Sequence, residues 1–322
     1  SSSRGLGDVY KRQALGAQRE NNANRNVAVG FSAGQSLSTA EHTTIVGALA
    51  GSAADITGDN NTCLGYLTGY NLTSGTNNTF VGSEAGDAIA GGSENTAVGT
   101  QALSSEDGHG QNTAVGMQAL RDLNAGVNAD NTAVGHIAGR LLQTGFYNTL
   151  IGASAGDALT DADNNTAVGR AALSSDQKGD GTVAIGRNAF VTQLFTSVTT
   201  TSNTAVGDKA GQANQSGRFN TYIGAEAGAT AATVSNNTAV GAFALDAATS
   251  GDNTAVGSGA LGGSLTGDQN TAVGHDAGNG LTSGTDNVFI GHLAGLSATS
   301  CHNCTMVGEQ AGGGAVTTGD HN

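Results

Sequence analysis

The 322-residue chain contains no proline and no tryptophan, and aromatic residues make up only 4% of it. Ordinary usage would give roughly 5% proline. Its absence argues against Pro-rich linkers and suits backbone ladders that no missing N–H interrupts. With so few rings, the interior must pack through small residues and repetition. Basic residues are scarce too: 12 Lys and Arg stand against 26 Asp and Glu, for a formal net charge of −14. Nucleic-acid binding needs a basic stripe, so no nucleic-acid partner is expected. The charge suits a soluble, self-repelling surface. No hydrophobic run approaches membrane-spanning length, so no membrane segment is expected in this chain. Three cysteines do not make a disulfide framework.

What the chain does have is glycine, 52 residues of it, placed in a fixed order. Asn270-Thr271-Ala272-Val273-Gly274 recurs with small changes seventeen times, its glycine running from Gly30 to Gly308. Twelve of the sixteen intervals are 17 residues and the others are 18, 19, 21 and 16. A short fixed period built on one glycine is the signature of a stacked-repeat architecture. Asn fills the first slot in fourteen copies and Thr the second in fourteen. The slot before glycine is Val or Ile in all but one copy, where it is Leu64. Three residues after the glycine comes Ala, with Thr68 the exception, and then Gly, Leu or Phe190.

One 17-residue unit cannot bury its own apolar face. Stacked as coils of a parallel β-solenoid, about 17 coils of 17 residues, it would form an elongated rod of roughly 80 Å. The expected core is the aliphatic slot and its glycine: Val98, Val115, Val134, Val168, Val206, Val240, Val256 and Val273, with Gly99, Gly116, Gly241 and Gly274. Each buried Val would contribute on the order of 1.5–3 kcal/mol. The Asn column would form amide ladders along the stack.

Side chains alternate along a strand. If the aliphatic slot points inward, the middle slot points away. That slot holds Ala97, Ala114, Leu150, Tyr222, Ala239, Ala272 and Phe289 among others, and nothing charged. A strand apolar on both faces is normally covered on both, so these residues are the expected subunit interface. A weakly exposed alanine stripe is the plainer alternative.

Residues 1–13 fall outside the pattern, and Asp-Val-Tyr-Lys-Arg-Gln at 8–13 reads as a translated sequencing-adapter scar. The solenoid then covers 14–322, and both of its ends are expected to be truncation points inside a coil. The longest interval, Gly186 to Gly207, carries Phe190, Leu194 and Phe195 and is the candidate contact loop.

Thr182-Val183-Ala184-Ile185-Gly186-Arg187-Asn188-Ala189-Phe190 resembles the head repeat of YadA-like trimeric autotransporter adhesins. The repeat array is also similar to those of phage tail-fibre-type proteins. The adhesin resemblance spans residue 26 to the end of the chain. It implies a left-handed parallel β-roll, a homotrimer around one axis, and non-enzymatic adhesion to a host-surface or matrix receptor outside the cell. A tail-fibre shaft is the alternative, and an ice-binding solenoid using the Thr column a lesser one.

Chemistry is harder to find. Val29-Gly30-Phe31-Ser32-Ala33-Gly34 matches the hexapeptide unit of left-handed β-helix acyltransferases, but only one such unit per coil is legible. His275 and His292 occupy equivalent slots in adjacent coils, followed by Glu309, which suggests a metal ladder or simply solvated turns. Acids gather before the Asn slot, including Asp59, Glu94, Asp130 and Asp286. Calcium favours such oxygen-rich edges, yet turn chemistry selects the same residues. Cys301 and Cys304 could form a local disulfide, stay as thiols, or join a zinc or redox site, while Cys63 reads as packing. No catalytic constellation and no cofactor site is expected.

Overall fold

The structure, a computed structural model, describes residues 25–105 and 108–312. The expected scar at 1–13 and both expected truncation points lie outside the described residues. The chain falls into two compact units, Ser1–Asp163 and Asn164–Asn322. Among the described residues there is no α-helix, and both units are parallel β-solenoids.

In the first unit the strands are β1 (Val27–Val29), β2 (Thr44–Val46), β3 (Thr62–Leu64), β4 (Thr79–Val81), β5 (Thr96–Val98), β6 (Thr113–Val115), β7 (Thr132–Val134) and β8 (Thr149–Ile151). Each pairs with the next in parallel and slot upon slot, as in Thr62↔Thr79, Cys63↔Phe80 and Leu64↔Val81. The second unit repeats this through β9 (Thr166–Val168), β11 (Val183–Ile185), β13 (Thr204–Val206), β14 (Thr221–Ile223), β15 (Thr238–Val240), β16 (Thr254–Val256), β17 (Thr271–Val273), β18 (Val288–Ile290) and β19 (Thr305–Val307). It adds a short parallel pair, β10 (Gly179–Asp180) with β12 (Thr199–Thr200).

Thr and the β-branched aliphatics favour the extended backbone, and the glycine ends it. Gly99 sits at φ +134, and a Cβ there would lie 2.5 Å from the Gly116 carbonyl oxygen of the next coil. Glycine must therefore stack on glycine, a close backbone approach that no other residue permits. The turns use left-handed backbone again and again: Glu84 (φ 56), Gln101 (φ 55) and Gln118 (φ 58) hold one slot, and Asn60, Asn77 and Glu94 another. A lone coil would not sustain so many unfavourable dihedrals. Inter-coil bonds such as Gln101 N–H to the Ser83 carbonyl, 2.9 Å, hold them in place.

The Asn amides form the expected ladder, and they are buried. The backbone N–H of Asn78, Asn95, Asn112, Asn131 and Asn148 each donates to Oδ1 of the preceding Asn at 2.9–3.1 Å. The amide nitrogen turns the other way, as in Asn78 Nδ2 to the Gly92 carbonyl at 2.8 Å. One residue type thus satisfies both a strand donor and a turn acceptor.

The interior is the reverse of the sequence expectation. In every three-residue strand after β1 the middle residue is buried and its flanks are not. Ala97, Ala114, Leu150, Tyr222, Ala239, Ala272 and Phe289 are fully buried within the single chain, so they line the coil's own core and form no subunit interface. Val98, Val115, Val168, Val206, Val240 and Val256 are half-exposed, and Val134 and Val273 are exposed. They face outward and are not the core. Of the expected core set, the glycines keep a structural role, through the close backbone contact between coils.

Volume explains the reversal. The middle slot shares its space with the fourth residue after the glycine. Where that residue is Leu103, Leu120, Leu173, Phe190, Leu245 or Leu261, the middle slot is Ala; where the middle slot is Ile45, Phe80, Leu150, Tyr222 or Phe289, that residue is Gly. Coils small in both slots are filled by their neighbours. A Cβ on Gly139, beside Ala133, would lie 2.7 Å from Leu150 and 2.9 Å from Leu120. Such large–small alternation is how a narrow interior reaches native density. Leu37, Leu72, Ile89, Leu123, Leu142 and Leu159 close the core from the return turns.

Candidate functional site

The outward side of the strands carries the Thr and aliphatic slots in two regular columns. Each unit presents them on one parallel sheet with neighbouring coils about 4.8 Å apart. The aliphatic column is open to solvent at Leu64 (46%), Ile151 (39%), Ile223 (39%) and Ile290 (40%). Three residues per strand over the eight coils of the first unit make a face of about 400 Å². The aliphatic column is about a third of that face, and its regular repetition from coil to coil, rather than its area, distinguishes it from singly scattered exposed aliphatics. Beside it run polar ladders, such as Gln118 Nε2 to Gln101 Oε1 (2.9 Å) and Gln101 Nε2 to Glu84 Oε2 (2.8 Å).

Two of the three candidate contact residues are interior, while the loop around them is exposed at Thr192, Thr196, Ser197, Val198 and Thr200. Phe190 is fully buried in the slot that Leu takes elsewhere, its ring 6.0 Å from that of Tyr222. Phe195 is 8% exposed, and of the three only Leu194 is open to solvent. The extra residues of the long interval instead build β12 and a buried polar cluster. Thr182 stands where other coils have Asn, and its hydroxyl lies 2.6 Å from that of Thr201. Gln193 Nε2 donates to Asp176 Oδ2 (2.7 Å) and to Thr182 Oγ1 (2.9 Å), and its Oε1 accepts from Asn203 Nδ2 (3.0 Å). Asp176 also accepts from the Phe195 N–H at 2.9 Å and the Gly179 N–H at 3.3 Å. Burial pushes the Asp176 carboxyl above the ordinary range, and these donors oppose the shift. The only sequence signal for the cluster was the loss of Asn at Thr182.

Cys301 and Cys304 are joined in a disulfide, their Cα atoms 6.1 Å apart. Cys304 occupies an Asn slot, and its N–H still donates to Asn287 Oδ1 (2.9 Å). Asn61 Nδ2 reaches back three residues to the Gly58 carbonyl (2.9 Å); at Cys304 a covalent bond spans the same two positions. Cys63 is buried, and desolvation pushes its thiol up to about 12, which makes it an inert packing residue.

The acids before the Asn slot serve the turns. Glu94, Asp130 and Asp286 sit at positive φ, and Asp59 Oδ1 accepts the Glu41 N–H at 2.7 Å. No helix among the described residues is long and apolar enough to cross a membrane. No family model, curated protein or solved structure matches the chain, so the likeness to adhesin heads and tail fibres rests on the repeat motif alone.

Proposed function

We propose that the chain is a segment of an extracellular, non-enzymatic adhesin-head-type fibre, and that it assembles as a homotrimer through its outward Thr/aliphatic columns. The observation that carries this is the aliphatic column itself. Val, Ile or Leu recurs at one outward slot in every coil, half-buried or exposed and never fully buried, although a solvated strand face would accept polar residues there. Covering it against identical columns removes apolar area from water at about 25 cal/mol per Å². The turns on the remaining sides then form a rigid multivalent surface for a host or matrix receptor. The Cys301–Cys304 disulfide supports an oxidising, extracellular setting. It favours an exported adhesin over a tail-fibre shaft assembled in the reducing cytosol.

Light scattering on the purified chain tests the assembly. The expected mass is three chains, falling to one in Val240→Asp with the β signal retained. Ala239→Asp, by contrast, places a charge in the coil's core and abolishes the β signal. A monomeric parent chain, or a Val240→Asp trimer, overturns the assembly. Retention of fibre-coated beads on host cells or matrix, against beads carrying an unrelated acidic protein, tests adhesion separately.

A further inference from the structure

His275 and His292 each come directly after the repeat glycine in consecutive coils, past the ends of β17 and β18. Stacking brings their ring centroids to 5.5 Å. A carboxylate stands on the Nδ1 side of both rings: Asp276 Oδ2 is 3.2 Å from His275 Nδ1, and Glu309 Oε1 is 3.6 Å from His292 Nδ1. Both imidazoles are more than half exposed, and neither Nε2 is engaged by another described residue. A carboxylate that accepts from Nδ1–H fixes the proton there and leaves the Nε2 lone pair free, the orientation common in metal-binding histidines; Asp276 stands within that distance of His275, and Glu309 just beyond it at His292. The spacing is held by backbone, since Gly291 N–H donates to the Val273 carbonyl at 2.8 Å and Gly308 N–H to the Ile290 carbonyl at 2.8 Å.

We propose that His275 and His292 form a two-imidazole site for a late divalent transition metal of the zinc class, bridging two adjacent coils, with Asp276 and Glu309 as orienting residues. Imidazole nitrogen suits zinc, copper and nickel, whereas calcium and magnesium take oxygen ligands. Among the described residues no three His, Cys, Asp or Glu side chains converge to hold an ion. Water therefore completes the coordination, and the metal exchanges freely. The site lies past the strand ends and does not depend on the trimer proposed above.

Isothermal titration of the full chain with Zn²⁺, and separately with Ca²⁺, tests it. One Zn²⁺ per chain is expected, with no Ca²⁺ uptake at the same concentrations. His275→Ala and His292→Ala should each weaken Zn²⁺ binding at least tenfold while the circular dichroism spectrum is unchanged. Asp276→Asn and Glu309→Gln should weaken it less, and His136→Ala, at the equivalent slot of a distant coil, should leave it within twofold. The site is overturned if the parent chain takes up no Zn²⁺. It is equally overturned if either histidine variant binds as the parent does, or if His136→Ala costs as much.

Discussion

The ladder from Asn61 to Asn148 and the long coil between Asn165 and Asn203 solve one problem in two ways. In the first stretch the buried amides hand their oxygen to the next strand and, except for Asn112, which turns to the Gly110 carbonyl of its own coil, their nitrogen to the next turn, so one residue per coil suffices. In the second, Thr182 takes the oxygen of Asn165 at 2.8 Å but offers only a hydroxyl to the next coil. Asp176, Gln193 and Thr201 are drawn inside to complete the pairing. A buried donor left unpaired costs more than a paired one contributes; in this long coil three more polar side chains meet the change, whereas at Thr43, the other Thr in the ladder, the hydroxyl itself accepts the Asn61 N–H at 3.4 Å. Repetition lets the interior use few kinds of residue, and the interruption in the longest coil is met with a local network.

Each expected outcome breaks or sharpens that contrast. The largest effect belongs to what both regions share, glycine upon glycine. Gly116→Val places a β-branched side chain at φ +136, with its Cβ on the Gly135 carbonyl. It should cost about 4 kcal/mol or more, read as loss of the cooperative denaturant transition. Gly108→Ala, where an added Cβ meets nothing within 4 Å, should stay within about 0.5 kcal/mol of the parent.

Next come the two networks. Asp176→Ala strands the Gln193 amide and two backbone donors and should cost about 3 kcal/mol. Asn112→Ala removes one ladder rung and should cost about 2 kcal/mol. Thr182→Asn alone should not stabilise, because Gln193 already fills the space; paired with Gln193→Ala it should recover part of that variant's loss. Chemical denaturation of these variants separates the cases, and a stabilised Thr182→Asn single variant would show that the long coil needs no repair.

The smallest effect is a pH effect at the turn. Asp87 is half-buried with one oxygen lacking a hydrogen-bond partner, and burial raises its carboxyl to about 6. A folded value above the unfolded one of about 4 means that stability falls as pH rises from about 4 to 6. Its partial exposure reduces the penalty to about 1 kcal/mol. Asp87→Asn should therefore be more stable than the parent at pH 7 and not at pH 3.5, measured by thermal melts at both. Asp157 and Asp246, at the same slot of other coils, are raised by burial as well.

Much of this was legible in the sequence. The seventeen glycines gave period, register and the parallel stack, and the Asn column gave the ladder. Which face is inside was not legible from alternation, because alternation names two faces without ranking them, and Val looks more like core than Ala does. A readable signal existed in the trade between the middle slot and the fourth residue after glycine, as in Phe80 with Gly86 and Ala97 with Leu103. Residues that exchange volume must share one cavity. The polar cluster of Asp176 left almost no trace, since its partners lie up to 27 residues apart, in Asp176 and Asn203, and meet only through Gln193.

Period, stacking and the placement of the glycines were fixed by the chain itself, because in-register parallel coils are the way a 17-residue unit too short to bury its own face can gain one. Inside and outside were decided only by the folded coil. The narrow lumen closed by left-handed turns admits Ala with Leu, or Phe with Gly, and leaves the Val and Ile column on the surface.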